Sequence, residues 1–325
     1  MLRLTSRATL PLKRFNLFRL LGCAPLTVNK NLCYCISIMH DLYKAPLEKP
    51  LNFHDLNHGV PHRLARTTIN AKLLKMAETE KGISNLTRAT VPDERVPWDV
   101  AYPDYSPVFI DVPRGASSFR KNGDQPDPTN PNDIPYFVSL EVTHVTRNQY
   151  GYPLNPAGRT GLCGRGMLDK WGATMAADPI LTRINPDTNK IEVLLIQRGD
   201  TGEWALPGGK VDLGEEPWQA AGRELIEEAG VENVELDFSE SEIVYAGYVD
   251  DPRNTDNAWM ETTALHIHLN QEQAQRVKIH AGSDATGAQW IPTTDERYDK
   301  LYAGQEHYIN IALSKIPGQD QYLAI

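Results

Sequence analysis

The segment at residues 209–231 constrains the fold and the chemistry of this chain more than any other feature. Its second half, residues 217–229, predicts a helix, because Pro217 suits a first helical turn and Gly230 suits the position after the last turn. Three carboxylates lie within it at the spacing i, i+3 and i+4: Glu224, Glu227 and Glu228. Side chains at this spacing share one face, where like charges repel unless a cation neutralises them. Hard divalent cations such as Mg²⁺ prefer oxygen ligands, so the pattern favours a metal site.

A glycine-rich loop, Pro207-Gly208-Gly209, comes before this helix. Glycine has no side chain, so the loop allows backbone atoms and a phosphate to approach a metal closely. The alternative interpretation of the glutamates is an acidic, solvated helix face. That interpretation does not explain the accompanying glycine loop, and we therefore interpret the whole segment as a metal and phosphate site.

The fold class follows from the elements around this helix. Residues 192–197 form a short apolar run, and residues 242–248 and 262–269 are also typical of strands, the last with visible alternation. Strands around one well-delimited helix predict an α/β domain over residues 166–325. Before it we expect a leader at residues 1–40 and an irregular N-terminal lobe at residues 41–165.

The predicted N-terminal lobe is rich in proline and glycine. Prolines between residues 91 and 135 predict irregular structure, with an ordered aromatic segment at residues 96–105 and a mobile loop at residues 121–133 that lacks apolar side chains. The glycine-rich stretch at residues 155–166 favours a connection between domains, and a phosphate cradle is the alternative. We expect the lobe to pack on the α/β domain, because clefts between domains often bind substrates.

The leader indicates a compartment. Residues 1–40 contain six lysines and arginines and no acidic residue, which is typical of a mitochondrial presequence. A disordered basic tail and a secretory signal are the alternatives, and a cytosolic protein is expected if the leader is not used. Three of the four cysteines lie in the leader, so removing it leaves Cys163, which cannot form an internal disulfide.

Charge and hydropathy restrict the partners. The net charge of −9 disfavours binding to nucleic acid or anionic lipid. No run of 18 uncharged apolar residues occurs, so we expect no membrane insertion. We expect a monomer that binds a small anionic substrate through a bound cation.

The segment at residues 209–231 resembles the Nudix box, G-x5-E-x7-R-E-U-x-E-E-x-G-U with U apolar, and fills every defined position. The resemblance implies the Nudix α+β fold, a mixed sheet sandwiched by helices. It implies that Glu224, Glu227, Glu228 and the Gly208 backbone hold Mg²⁺ or Mn²⁺, and that Arg223 pairs with Glu215 to fix the loop. The superfamily varies in which carboxylate deprotonates water, so the resemblance assigns no single general base.

Further segments are similar to the members of this family that hydrolyse ADP-ribose, and equally to a related ADP-ribose-sensing domain of a cation channel: residues 96–105, 155–166, 176–180, 204–209 and 250–259. This similarity implies hydrolysis of ADP-ribose to AMP and ribose 5-phosphate. It also implies that Asp251 and Arg253 contact the terminal ribose or the phosphates and that Tyr302 packs beside the ligand, with Gly208 and Gly209 lining the site.

Three alternatives remain at this point. The chain could be a module that binds ADP-ribose without cleaving it. It could also be a hydrolase of another nucleoside diphosphate-linked compound, because the residues of the Nudix box do not determine which group is linked to the nucleoside diphosphate. From the residues alone, the segment at 250–259 is also typical of a polar turn in which Asp251 and Asn254 bond their own backbone.

Overall fold

The computed structural model describes residues 88–111, 126–168, 170–282 and 285–317. The predicted leader and the first part of the predicted mobile loop, residues 121–125, lie outside the described residues. In the part of the chain that is described, no helix combines the length and the hydropathy needed to cross a bilayer.

A seven-stranded mixed sheet forms the centre of the described structure. Its strands are β3 Gly172–Ile184, β4 Ile191–Arg198, β5 Trp204–Ala205, β6 Gly209–Lys210, β7 Glu242–Val249, β8 Ala258–His268 and β9 Ala285–Pro292. The main strand order is β5-β4-β3-β8-β7. The two central strands, β3 and β8, run parallel, while β6 pairs with β3 and β9 pairs with β4, both antiparallel.

Helices cover both faces of this sheet. Alternation along β4 sends Val193 and Leu195 to one face, where they pack with helix α3, Glu306–Ser314. Leu194 and Ile196 point to the other face, which packs against helix α1, Pro217–Ala229, and helix α2, Gln271–Arg276. The predicted α/β class, a mixed sheet sandwiched by helices, is confirmed.

Helix α1 begins and ends where the sequence predicts. Glu216 and Gln219 form a reciprocal capping box at its start, and Pro217 occupies the first turn. Gly230 ends the helix with a left-handed φ of 52°, a conformation that glycine adopts without strain. The helix buries four side chains on the sheet: Ala220, Ala221, Leu225 and Ala229. The remaining face is left for the polar side chains of the site.

A second, two-stranded sheet lies in the N-terminal part, where β1 (Val108–Asp111) runs parallel to β2 (Leu162–Gly166). The glycine-rich stretch therefore contributes a strand. At Gly164 the φ is 88°, and a Cβ would lie 2.1 Å from the Ile110 carbonyl oxygen, so the close pairing requires glycine. Short 3-10 turns occupy Asp93–Arg95, Pro131–Asp133, Phe238–Glu240, Tyr298–Lys300 and Tyr302–Gly304.

Candidate metal and phosphate site

Arg223 on α1 ties the helix to the loop that precedes it. Its guanidinium donates to both carboxylate oxygens of Glu215, each at 2.9 Å, and to the Lys210 carbonyl oxygen at 3.0 Å. A further hydrogen bond reaches Glu224 Oε1. The hydrogen bonds from Arg223 lower the pKa of Glu215. The planar fork of arginine suits this multiple contact, and the loop is held in one position against the helix.

The three glutamates of α1 have different surroundings. The side chain of Glu224 is only 12% exposed, whereas that of Glu227 is 41% exposed and lies 3.7 Å from Arg223 Nη1. Glu228 Oε2 accepts a hydrogen bond from the Gly208 N–H at 3.0 Å. A solvated acidic face therefore describes Glu227 at most, because Glu224 and Glu228 turn toward the glycine loop.

Both glycines of the loop lie against carboxylates. A Cβ on Gly209 would be 2.3 Å from Glu224 Oε1, and one on Gly208 would be 2.1 Å from Asp178 Oδ1. Pairing between β6 and β3 fixes this approach, since Gly209 lies opposite Ala177. Any larger residue would have to displace these carboxylates.

The residues of this loop and helix fit a hard divalent cation. Within the described ranges, no three acidic, histidine or cysteine side chains already converge as a metal cage. The donor set is nevertheless rich in oxygen: carboxylates face a glycine backbone that leaves no space for a side chain. Oxygen ligands of this kind are those that Mg²⁺ and Mn²⁺ prefer. The sequence predicts Glu224, Glu227, Glu228 and the backbone of Gly208 as the residues that would hold such an ion. The structure brings Glu224 and Glu228 against the glycine loop, whereas Glu227 is more exposed and lies beside Arg223.

Asp178 on β3 joins this loop to the second half of the site, which is the loop after β7 that carries Asp251 and Arg253. Asp178 is not among the site residues predicted from the sequence. Burial raises its pKa to about 6. Thr262 Oγ1 donates to its carboxylate at 2.8 Å, which lowers the pKa, as does nearby Arg198, while Glu224 and Asp251 raise it. The carboxylate is thus close to acidic groups of both halves. The signal was available, because Asp178 is a charged residue within an apolar run and lies in the segment 176–180 that carries part of the family resemblance.

The second half of the site is built on the loop after β7. Arg253 donates to Asp251 through Nε at 2.8 Å and Nη2 at 2.7 Å, and the Arg253 backbone N–H also reaches Asp251 Oδ1. The loop thus includes the predicted polar turn as well as a bidentate ion pair. Burial opposes ionisation of Asp251, but Arg253 lowers the pKa of this carboxyl overall. Tyr302 donates to Asp251 Oδ2 at 3.1 Å, so the structure brings these three selected residues together.

Arg198 at the end of β4 adds a second guanidinium to this half. Its Cζ lies 4.3 Å from the centre of the Tyr302 ring, a cation–π contact, and it pairs with Asp200 at 2.8 Å. Arg198 is not among the site residues predicted from the sequence. The signal was available, because a charged residue directly follows a predicted strand and precedes a Gly-Asp turn. Two arginines beside one tyrosine form a surface suited to phosphate oxygens.

The loop that carries Asp251 and Arg253 is held by the N-terminal part of the chain. Arg88 donates to the carbonyl oxygens of Pro252 and Asn254 at 2.7 and 2.9 Å. Tyr105 donates to Asp256 at 2.6 Å, and the Thr160 N–H donates to the same carboxylate at 2.6 Å. These contacts fix the outer side of the loop. The N-terminal residues thereby help to position the second half of the site.

Comparisons with known proteins agree with this architecture. Residues 91–172 match the family described as NUDT9-like, N-terminal domain, and residues 176–310 match the NUDIX domain. The chain is 39% identical over 244 residues to "Putative nudix hydrolase 6" of Caenorhabditis elegans, which covers 70% of this chain and 91% of that protein. It is also 39% identical over 269 residues to "ADP-ribose pyrophosphatase, mitochondrial" of Rattus norvegicus, covering 71% of this chain and 75% of that protein.

A third relative is much longer than this chain. "Transient receptor potential cation channel subfamily M member 2" of Mus musculus is 35% identical over 214 residues, which covers 60% of this chain and 14% of the channel protein.

The fold, the complete loop-and-helix segment and these matches define the class of protein. The chain belongs to the Nudix family of hydrolases, and it carries the NUDT9-like N-terminal domain ahead of the Nudix domain.

Proposed function

We propose that this chain hydrolyses ADP-ribose to AMP and ribose 5-phosphate with the help of Mg²⁺ or Mn²⁺. The observation that carries the proposal is the pairing of two features in one site. The complete Nudix segment folds as a loop and helix around Arg223, and the Asp251–Arg253 pair with Tyr302 and Arg198 lies beyond Asp178 on the other side. The rat relative, similar over three quarters of its length, is named for this activity.

The diphosphate bridge would lie between these two halves. Arg253 and Arg198 offer guanidinium groups to phosphate oxygens, and Asp251 accepts hydrogen bonds, which suits ribose hydroxyls. Arg223 donates hydrogen bonds to Glu215 and Glu224. These bonds would keep the segment that contains the glycine loop in position against the helix while the substrate is bound. The protein thus orients the substrate and confines the reacting water, which supplies much of the rate enhancement in phosphoryl transfer.

Divalent metal use is general in this family, and Glu224, Glu227, Glu228 and the Gly208 backbone are the residues that we assign to it here. When bound, the ion would neutralise the diphosphate oxygens and lower the pKa of a bound water. The carboxylates of α1 would hold the ion. Glu215 and Arg223 would keep them in place.

We also propose a mitochondrial location for the mature chain. The support is the basic, acid-free start of the sequence and the rat relative, whose name places it in mitochondria. Import assays with the full chain and with a chain that starts at residue 41 would test this. Uptake of both forms alike would contradict a targeting role for residues 1–40.

Product analysis tests the proposed reaction. The full chain is incubated with ADP-ribose and Mg²⁺, and AMP and ribose 5-phosphate are measured by chromatography. We expect equal amounts of the two products and no reaction after chelation of the metal. Binding of ADP-ribose without AMP would support the sensing module instead. A higher kcat/KM for NADH or a diadenosine compound than for ADP-ribose would reassign the substrate.

A further inference from the structure

The turn Tyr302–Gln305 contacts both halves of the site. At its first residue, the Tyr302 hydroxyl donates to Asp251 Oδ2 at 3.1 Å. At its last residue, Gln305 Oε1 accepts a hydrogen bond from the Leu206 N–H at 2.7 Å. Leu206 lies two residues before Gly208. One short turn therefore connects the loop of Asp251 with the glycine loop.

The backbone of this turn has little freedom. Ala303 and Gly304 are both left-handed, with φ of 53° and 71°, and a left-handed alanine persists only where its surroundings hold it. Helix α3 begins directly after the turn and buries four side chains in the core: Tyr308, Ile309, Ala312 and Leu313. The turn is thus fixed to the core of the domain. Gln305 therefore has a fixed position relative to Leu206, from whose N–H its side chain accepts a hydrogen bond.

The contact between Gln305 and Leu206 is buried. Gln305 is 6% exposed and Leu206 is 2% exposed. A buried N–H that loses its acceptor costs about 1–3 kcal/mol, so without Gln305 the loop would shift to satisfy Leu206. Pro207 separates Leu206 from Gly208 and has a fixed φ, so a shift at Leu206 is transmitted along the chain. Gly208 is the residue whose N–H holds Glu228 Oε2.

Resting on the proposed function, we propose that Gln305 is a positioning residue for the metal site. Its side-chain oxygen holds the Leu206 N–H, and this sets the Gly208 backbone against Glu228. Gln305 acts through the loop and contacts neither metal nor substrate. The acceptor oxygen is the essential part of its side chain, and the amide NH₂ is not.

Two substitutions separate the acceptor from the rest of the side chain. Gln305→Met has similar volume and no acceptor, whereas Gln305→Glu keeps an oxygen at the same reach and exchanges the amide NH₂ for a second oxygen and a negative charge. Mn²⁺ binding to the full chain is titrated by electron paramagnetic resonance of the free ion. We expect Gln305→Met to bind Mn²⁺ about tenfold more weakly, the size of effect seen when a group that supports a metal ligand is lost. Gln305→Glu keeps the acceptor and adds negative charge near the cation, so it should bind Mn²⁺ at least as tightly as the unaltered chain.

Backbone exchange gives an independent reading. Amide hydrogen exchange of residues 204–210 should accelerate in Gln305→Met and stay slow in Gln305→Glu. Tyr298→Phe is the matched control, because it removes the hydrogen bond from the Tyr298 hydroxyl to Asn310 of helix α3 at 2.7 Å and keeps the bond between Gln305 and Leu206. It should leave Mn²⁺ binding and the exchange of residues 204–210 unchanged.

The proposal fails if Gln305→Met binds Mn²⁺ as tightly as the unaltered chain, or if Gln305→Glu binds as weakly as Gln305→Met. Should Gln305→Met not fold, Gln305→Asn replaces it, since its acceptor is one methylene short of Leu206 and the same loss is expected. The substrate is tested separately. An unaltered chain that binds Mn²⁺ but releases no AMP would defeat the proposed function and leave the comparison at Gln305 standing.

Discussion

Glu228 connects helix α1 to the glycine loop through the hydrogen bond from the Gly208 N–H to Oε2. A glutamine at this position keeps an oxygen that can accept the same bond. It removes the negative charge. The bond that holds the loop and the proposed role in holding a cation can therefore be separated by one substitution.

We expect Glu228→Gln to lower kcat for ADP-ribose by about a hundredfold or more while the fold survives, because it removes charge and leaves packing intact. Steady-state rates at saturating Mg²⁺ and a thermal melt check this. Glu232→Gln, an exposed position beyond the end of the same helix, is the control and should retain full activity. Near-full turnover in Glu228→Gln would contradict the metal role that we assign.

The residues that the sequence predicts best are those with local signals. The box pattern identifies Arg223, Glu215 and the three glutamates because their spacing along one helix and loop is readable directly. Local spacing does not identify Asp178, Arg198 or Gln305. Asp178 meets Gly208 only because β3 pairs with β6, and Gln305 meets Leu206 across 99 positions of the chain. Contacts set by sheet pairing and helix docking leave no pattern in the sequence.

At the scale of elements, helix α1 is predictable and strand β3 is not. Capping and glycine signals delimit α1. Strand β3 contains Pro179, which argues against a central strand. The structure accommodates it because β6 pairs at Ala176 and Ala177 and β4 pairs only from Thr182 onward. Pro179 lies in the gap between the two partners, where a missing backbone donor costs least.

The parallel pair β3 and β8 also holds a histidine that titrates unusually. Burial lowers the pKa of His266 to about 4, assisted by His268, while Glu242 opposes the shift and Lys315 adds to it. Thr182 Oγ1 lies 2.9 Å from His266 Nε2. Because the pKa is lower in the folded state than the unfolded value near 6.5, the unfolded chain binds more protons between these two values. Stability therefore falls as the pH drops from about 6.5 to about 4.

We expect His266 to account for a loss of about 3 kcal/mol in unfolding free energy over that interval, at 1.36 kcal/mol per pKa unit. Urea denaturation between pH 4 and pH 7 measures it. In His266→Gln the free energy of unfolding should depend less on pH, although the variant is less stable at pH 7. The same pH dependence in both chains would show that His266 does not titrate with a lowered pKa.

At the scale of the whole molecule, the N-terminal residues contact the site through the loop at residues 250–257, which carries Asp251 and Arg253. Arg88, Tyr105 and Thr160 hold its outer side, and Asn155 adds a bond to the Thr255 carbonyl oxygen at 3.0 Å. The hydrogen bonds that hold this loop come from N-terminal residues, whereas Glu224 and Glu228 lie against the glycine loop. The two halves of the site should therefore respond differently when these hydrogen bonds are weakened.

We expect Arg88→Met to raise the KM for ADP-ribose by about tenfold, the cost of losing one or two hydrogen bonds, with kcat little changed. The substitution releases the loop of Arg253 and leaves the metal side untouched. Arg95→Met is the control, since Arg95 lies in the same N-terminal segment and its side chain donates to the nearby Ala101 carbonyl oxygen. A fall in kcat with an unchanged KM would place the effect of Arg88 elsewhere.

Strand β3 carries the glycine loop on one edge and, through β8, the start of the Asp251 loop on the other. Side chains of a strand alternate between faces, so removing one residue from β3 would turn Asp178 away from Gly208 and bring an apolar neighbour in its place. The length of this strand is thus far less free to vary than its composition. New substrate specificities would therefore arise through exchanges of side chains on the glycine loop and the Asp251 loop. The distance between these two loops would stay unchanged.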